Sequence, residues 1–407
     1  ISDLSFVIYT SIWLGMSSAS KISSGLFILI PFMAIIASKT SKLAYPVWYR
    51  VFKKSLDIWF TVFFSIIIFI VFSPHTLINF REFTGSMDYE TGVAVGKFMV
   101  FYTRQFYETL PVLFQLQKVF PAAIGFAGTV LFLISFLFAG WSDKKVNFMR
   151  LAFLSYFLPN AFMFAKWTRF MAPVYPLMTV FCVLIIAYFI FHIKKLRAIR
   201  NFLLAIVIIY LILPGLAYIS VYLSKDVRFK ASEYIYANFP DNAYILSETA
   251  NVVDVPLDIV KADNPDYDQN FEVISFNFYE LDNEPYLESE LDDHLDKADY
   301  ILVPSRRIFA NHYCNIETPQ SPLLRAVSLL SADNPYRCQL LRESYPKINK
   351  YYDDLFSGRL GFQKVAEISS NPRIDINGKT ILEFNDEQLE ETWSVFDHPV
   401  IRIYKRI

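Results

Sequence analysis

The sequence predicts a polytopic α-helical membrane protein that carries a C-terminal α/β domain. Three observations predict it. Apolar runs close to the roughly 20 residues that cross a bilayer recur through the first half of the chain. Short basic loops alternate between them, as the positive-inside rule requires of a membrane protein. Charge also divides the chain: residues 1–224 hold 19 Lys/Arg against 7 Asp/Glu, and residues 225–407 hold 19 against 32. The net charge of −1 hides that division, which marks two domains in different surroundings. A composition with 40 Phe and 25 Tyr exceeds what a soluble core needs. The expected division is therefore a multi-span domain over 1–224 and a soluble domain over 225–407.

Seven apolar spans are expected, at roughly 3–18, 22–38, 55–73, 121–140, 148–165, 172–192 and 202–223. The chain opens at Ile1 in the middle of an apolar helix pattern, with no signal-peptide pattern before it. It reads as a fragment lacking its natural N-terminus. Loop 39–54 holds Lys39, Lys42, Arg50, Lys53 and Lys54 with no acid. Loop 141–150 holds Lys144, Lys145 and Arg150 against Asp143, and loop 193–201 holds Lys194, Lys195, Arg197 and Arg200. These three share one side, which is expected to be cytoplasmic. The hairpin at Ser18–Lys21, the loop 74–120, the turn Lys166–Met171 and the tail then face outward. The expected location is the cell (plasma or inner) membrane, with the tail extracytoplasmic. Loop 74–120 mixes charges with apolar groups at helical spacing, and Phe101–Phe120 is rich in rings. It reads as re-entrant or interfacial helices.

Beyond residue 225 the runs shorten and charges rise. Ala243–Ser247, Phe271–Phe278, Tyr300–Pro304, Gly361–Ile368 and Val400–Tyr404 read as strands. Phe229–Asn238, Leu287–Leu295 and Asn349–Phe356 read as helices, so an α/β layered domain is expected. The domain holds no Gly-rich phosphate loop and no His/Cys cluster with metal spacing. Cys182 lies in an apolar span and reads as packing. Cys314 and Cys338 can pair if their domain meets an oxidising compartment, and the sequence leaves that open.

Chemistry points to the outward-facing charges. Lys21, Arg104, Lys166 and Arg169 come from three separate outward turns or loops and can converge at one depth. A phosphate at that depth needs charge-assisted donors, and Arg supplies a bidentate fork. The ordinary alternative is that each side chain snorkels to the lipid head groups. Asp88 and Glu90, in the outward loop, are candidate general bases or metal ligands; a solvated helix face is the simpler account of them. His75 alone is weak as a phosphate or metal ligand. Ser305-Arg306-Arg307 reads as a charged surface turn, with an anionic acceptor as its functional alternative. Asp397-His398-Pro399 reads as a turn without chemistry.

These segments, in order, resemble a known group. Gly15-Met16-Ser17-Ser18-Ala19-Ser20-Lys21 followed by Leu26–Pro31 resembles the small-residue, Lys, apolar, Pro segment of bacterial lipid-carrier-dependent glycosyltransferases. These are the protein-mannosyltransferase-like, aminoarabinose-transferase-like members of the GT-C superfamily. The stretch Pro74–Gly96 and the segment Phe101-Tyr102-Thr103-Arg104-Gln105 to Pro111 are similar to theirs. Lys166-Trp167-Thr168-Arg169-Phe170, with Pro173 and Pro176, resembles their Lys-x-x-Arg-Tyr-x-x-Pro-x-x-Pro signature. Tyr351-Tyr352, Leu355-Phe356-Ser357-Gly358 and Asp397-His398-Pro399 look like the tail of some large members. The resemblance implies transfer of a sugar from a polyprenyl-phosphate donor to a lipid, glycan or protein acceptor on the outer face, in a cavity roofed by the tail. It implies Lys21, Arg104, Lys166 and Arg169 as donor-phosphate ligands. It implies a catalytic carboxylate in a first outward loop, upstream of Ile1, with Asp88 or Glu90 secondary. No cofactor is required, a divalent metal stays open, and no nucleic-acid partner is expected. Two other classes survive. A flippase or transporter for a lipid-linked anion would show charged or Gly/Pro-broken helices at mid-membrane. A membrane-anchored binding protein would not need the cations.

Overall fold

The computed structural model describes residues 4–38, 46–192, 197–248, 254–264, 266–316, 328, 330–332 and 334–407. Lys39, Lys42, Lys194 and Lys195, four of the expected cytoplasmic cations, lie outside the described residues. Each of the seven apolar runs falls on helix: Leu4–Ser20, Ile22–Ile28 continued by Leu29–Ala37, Val47–Phe72, Phe120–Phe138, Lys144–Ala161, Tyr175–His192 and Arg197–Leu223. Among the described residues, four stretches are long and apolar enough to cross a bilayer: Val47–Phe72, Gln115–Phe138, Ala172–Phe191 and Ala198–Leu223. The protein is mostly helical, with a sheet region near its C-terminus.

Contacts divide the chain into two compact units. One comprises Ile1–Phe98, Leu131–Phe164 and Arg169–Ala187; the other comprises Met99–Val130, Ala165–Thr168 and Tyr188–Ile407. The sequence drew its line at 224 from charge, whereas packing groups the ring-rich segment after Phe98 and the helix Arg197–Leu223 with the sheet.

In the first unit the helix Val47–Phe72 inverts the soluble pattern. Its buried residues are Thr61 and Ser65, while Phe63, Phe64, Ile66 and Val71 are exposed. Small and polar groups facing protein, with rings facing out, is how helices pack where lipid is the solvent. Helix Leu4–Ser20 meets this stripe. Ser11 donates to the Val7 and Thr61 carbonyls, and a Cβ on Gly15 would come within 2.6 Å of Ile68. Helix Lys144–Ala161 begins on Asp143, whose carboxylate caps the Lys145 amide. Arg150, expected in a basic loop, lies inside this helix and is buried. It donates to the Phe136 and Ala139 carbonyls, the orphan acceptors where helix Phe120–Phe138 ends, and stacks on Trp141.

The second unit is built on a five-stranded sheet. Its strands in chain order are β1 (Tyr244–Glu248), β2 (Glu272–Phe276), β3 (Tyr300–Val303), β4 (Phe362–Ile368) and, after the hairpin β5 (Arg373–Ile376) and β6 (Lys379–Glu383), β7 (Ile401–Arg406). The order across the sheet is β2-β1-β3-β7-β4, with β7 antiparallel to both neighbours. All five strands of this sheet coincide with segments read from the sequence, and all three expected tail helices form. Side chains alternate between faces. Tyr244, Leu246, Ile301 and Val303 enter one apolar cluster; Ile245, Tyr300 and Leu302 enter another. Helices Pro285–Lys297, Arg307–His312, Pro335–Ser344 and Pro346–Ser357 cover the first face, and Val227–Asn238 and Leu257–Asp263 the second. The result is a three-layer α/β/α arrangement. Cys314 and Cys338 form a disulfide with Cα atoms 5.2 Å apart.

One membrane-type helix is not regular. Phe120–Phe138 breaks at Gly125, where φ is 72° and ψ 163°. Only glycine takes that conformation without cost. Thr129 returns a hydroxyl to the Gly125 carbonyl, 2.9 Å away. A Cβ at Gly125 would lie 3.5 Å from Pro214, which sits inside helix Arg197–Leu223.

Candidate functional site

In the first unit, Lys21 and the turn at Arg169 meet. Lys21 ends helix Leu4–Ser20 with extended backbone, which turns its side chain out of the helix line. Its ammonium donates to the carbonyl of Arg169, 148 residues away. The Phe170 ring lies 5.9 Å from the Lys21 ammonium and 5.9 Å from the Arg169 guanidinium. Two cations therefore flank one ring. A second tie holds the two turns. The Tyr156 hydroxyl donates to the Phe170 carbonyl at 3.0 Å, so Ser23 must be the donor in the 2.8 Å bond between Ser23 and Tyr156. Tyr156 is fully buried and stacks on Phe27 at 4.9 Å. Burial, then repulsion from Arg169, pulls the Lys21 ammonium below its ordinary value. Arg169 itself is exposed.

The second unit holds Lys166 and Arg104. Lys166 is only 4% exposed, so it does not extend like a snorkelling side chain. Burial pulls its ammonium down to about 8. The turn around it is tied down by Glu390. That carboxylate accepts the Thr168 amide at 3.1 Å and the Thr168 hydroxyl at 3.0 Å, together with the Thr392 amide and hydroxyl. Trp167 packs its buried ring beside Phe106 and Tyr102. Arg104 donates to Nε2 of His312 at 2.6 Å and stacks on Tyr345 at 4.4 Å. Because His312 Nδ1 sits 3.0 Å from the Ile308 carbonyl, Nδ1 carries the proton and Nε2 accepts from Arg104. Burial, then the charge of Arg104, depresses this imidazole to about 3, so it is neutral at pH 7.

Around Glu390 lies a polar network that sequence reasoning missed. The Gln105 amide bridges both carboxylates, donating to Glu390 and to Glu391 at 3.2 Å each, and accepts the Glu391 amide. Arg307 pairs with Glu391 at 3.0 Å, and both are buried. Arg306 donates to the carbonyls of Leu389 and Glu390. The expected surface turn Ser305–Arg307 is thus a buried one: its residues are 4%, 9% and 7% exposed. Burial pushes the Glu391 carboxyl up to about 7, against the pull of Arg307. Asp397-His398-Pro399, expected as a plain turn, is also built in. His398 is buried against Asp386 at 3.0 Å, and Asp397 accepts the hydroxyls of Tyr218 and Tyr222. The one signal that pointed here was the pair Arg306-Arg307 directly after a strand; Glu390 and Glu391 lie over 80 residues further on.

Asp88 and Glu90 lie on the helix Phe80–Ala94, both exposed. Asp88 stands 3.8 Å from Lys97, at a site where both side chains are more than half exposed. His75 is exposed at the start of a short helix. No group of three or more His, Cys, Asp or Glu able to hold a metal occurs among the described residues. Comparison with protein-family models, with curated proteins and with solved structures gives no match.

Proposed function

We propose that the chain is a membrane glycosyltransferase that moves a sugar from a polyprenyl-phosphate donor to an acceptor at the outer face of the membrane. One observation carries this reading: Lys21 and Arg169, 148 residues apart, meet around the Phe170 ring. Like charges repel, so a fold that brings two together at a partly exposed place favours an anion there. In this reading the pair holds the donor phosphate. The acceptor oxygen attacks the anomeric carbon and gives its proton to a carboxylate, for which Asp88 and Glu90 are candidates. The bond from that carbon to the phosphate oxygen breaks, and polyprenyl phosphate leaves with its negative charge held by fixed cations. Seven spans and an extracytoplasmic tail complete the reading. The Cys314–Cys338 disulfide supports an oxidising side for the tail.

The test is transfer from a radiolabelled polyprenyl-phosphate sugar, in membranes carrying the natural gene product. Lys21→Ala or Arg169→Ala should each lower turnover by about 10²–10³-fold, the usual loss for one charge-stabilising donor. Unchanged turnover in both variants would remove the phosphate from this turn. Absence of transfer from folded wild type with every donor would remove the enzyme class.

A second reading, a flippase for a lipid-linked anion, is favoured by the break at Gly125 opposite Pro214. Paired Gly/Pro interruptions are what such proteins use at their binding sites. A cavity of about 450 Å³ lies between these two helices. Movement of a fluorescent polyprenyl phosphate across vesicles, with no sugar transferred, would select it.

A further inference from the structure

We propose that the second unit carries a separate site for a neutral sugar, in the cavity beyond the carboxyl end of β3. The topology points there first. β1 leads through helix Leu257–Asp263 to β2 on one side, and β3 follows on the other side of β1. Leu257 and Val260 pack on one face of the sheet, whereas Ile308, in the helix after β3, packs on the opposite face. The connections therefore part between β1 and β3. In open α/β sheets the crevice beyond the carboxyl ends at such a point is where ligands bind.

A cavity of about 350 Å³ opens at that end of β3, lined by Arg306 and by Phe309 and Ala310 of the helix that follows. This is the small end of the range for small-molecule sites. Its charges are balanced. Glu387, Glu390 and Glu391 face Lys118, Arg306 and Arg337. Most of these are deeply buried: Glu390 and Glu391 are 1% exposed and Arg337 5%. A cavity lined by equal numbers of acids and cations, most of them buried, discriminates against a strong anion or cation, because either would leave like charges unbalanced in a low dielectric. It suits a neutral ligand rich in both donors and acceptors. Gln105 and Asn315 add amides, and Phe114, Phe309 and Tyr313 add rings for the C–H face of such a ligand. Arg306, 9% exposed, lines the cavity, and its buried Nε finds no partner among the described residues.

As an acceptor-sugar site this rests on the transferase reading; as a sugar-binding site it does not. Binding is therefore measured directly, by saturation-transfer NMR on the detergent-solubilised full chain. The probes are methyl α-glucoside, methyl α-mannoside and methyl N-acetylglucosaminide, with glucose 1-phosphate and glucosamine as charged controls. At least one neutral glycoside should bind saturably and more tightly than both controls. Ala310→Trp fills the cavity, while the Ala310 carbonyl that accepts from Arg337 at 2.8 Å is backbone and stays. It should weaken binding by at least about tenfold, and Ala310→Leu, a smaller plug, by less. Equal affinity in a folded Ala310→Trp protein, preference for a charged control, or no binding of any neutral glycoside would overturn the site. Glycoside binding by a chain that transfers nothing would overturn the transferase and leave the site standing.

Discussion

Two sites, one in each unit, treat their cations in opposite ways. In the first, Lys21 and Arg169 stand together around Phe170, with Lys21 bonded to a backbone carbonyl and Arg169 exposed. In the second, Arg307 is buried and paired with Glu391, and Arg306 is buried on two carbonyls. A buried cation with a fixed acid is expensive to break and does not need a ligand. Converging cations at an accessible turn gain by taking one. Charge alone therefore does not mark a site; the disposition of charge does.

The comparison is broken most forcefully at Arg307. Arg307→Ala leaves Glu391 buried without its ion pair and should cost about 3–5 kcal/mol in denaturant unfolding at pH 8. The loss should shrink at pH 5, because Glu391 then takes up a proton, its carboxyl lying near 7 in the folded protein. Equal loss at both pH values would mean that packing, not charge, sets the cost. The next effect is acid sensitivity. His312 is held near 3 when folded against an ordinary 6.5, so the unfolded chain binds the extra proton. Stability should fall as pH drops from about 6.5 toward 3, with His312→Gln flattening that part of the profile. The smallest effect sharpens the contrast from the other side. Arg169→Ala should shift stability by no more than about 0.5 kcal/mol, as at an ordinary surface position, whatever it does to turnover. A loss near that of Arg307→Ala would make Arg169 structural.

The centre of the sheet was legible because β1 and β3 bury both faces and read as short apolar runs between turn residues. The hairpin β5–β6 was not read, because its strands are largely exposed and charged. Its signal was Asn377-Gly378, whose positive φ values of 52° and 75° are those of a two-residue hairpin turn. The apolar spans were legible from composition, and the break at Gly125 was not, because a lone glycine in an apolar run has many explanations. The cations of the first unit were legible by type and placement. The burial of Arg306 and Arg307 was not: it depends on Glu390 and Glu391, and no local pattern ties residues so far apart in the chain. Lys166 shows the same limit, since its turn is fixed through Thr168 by that same Glu390.

The bond from Lys21 to the Arg169 carbonyl also sets a clock. Lys21 leaves the ribosome 148 residues before its partner. At synthesis rates of about 5–20 residues per second, it waits roughly 7–30 s for that partner. During this interval the first hairpin is in place but its polar tip has no turn to close on. The basic turn is thus a late product of assembly, and a nascent chain halted before Tyr156 would carry Lys21 without either tie that holds it.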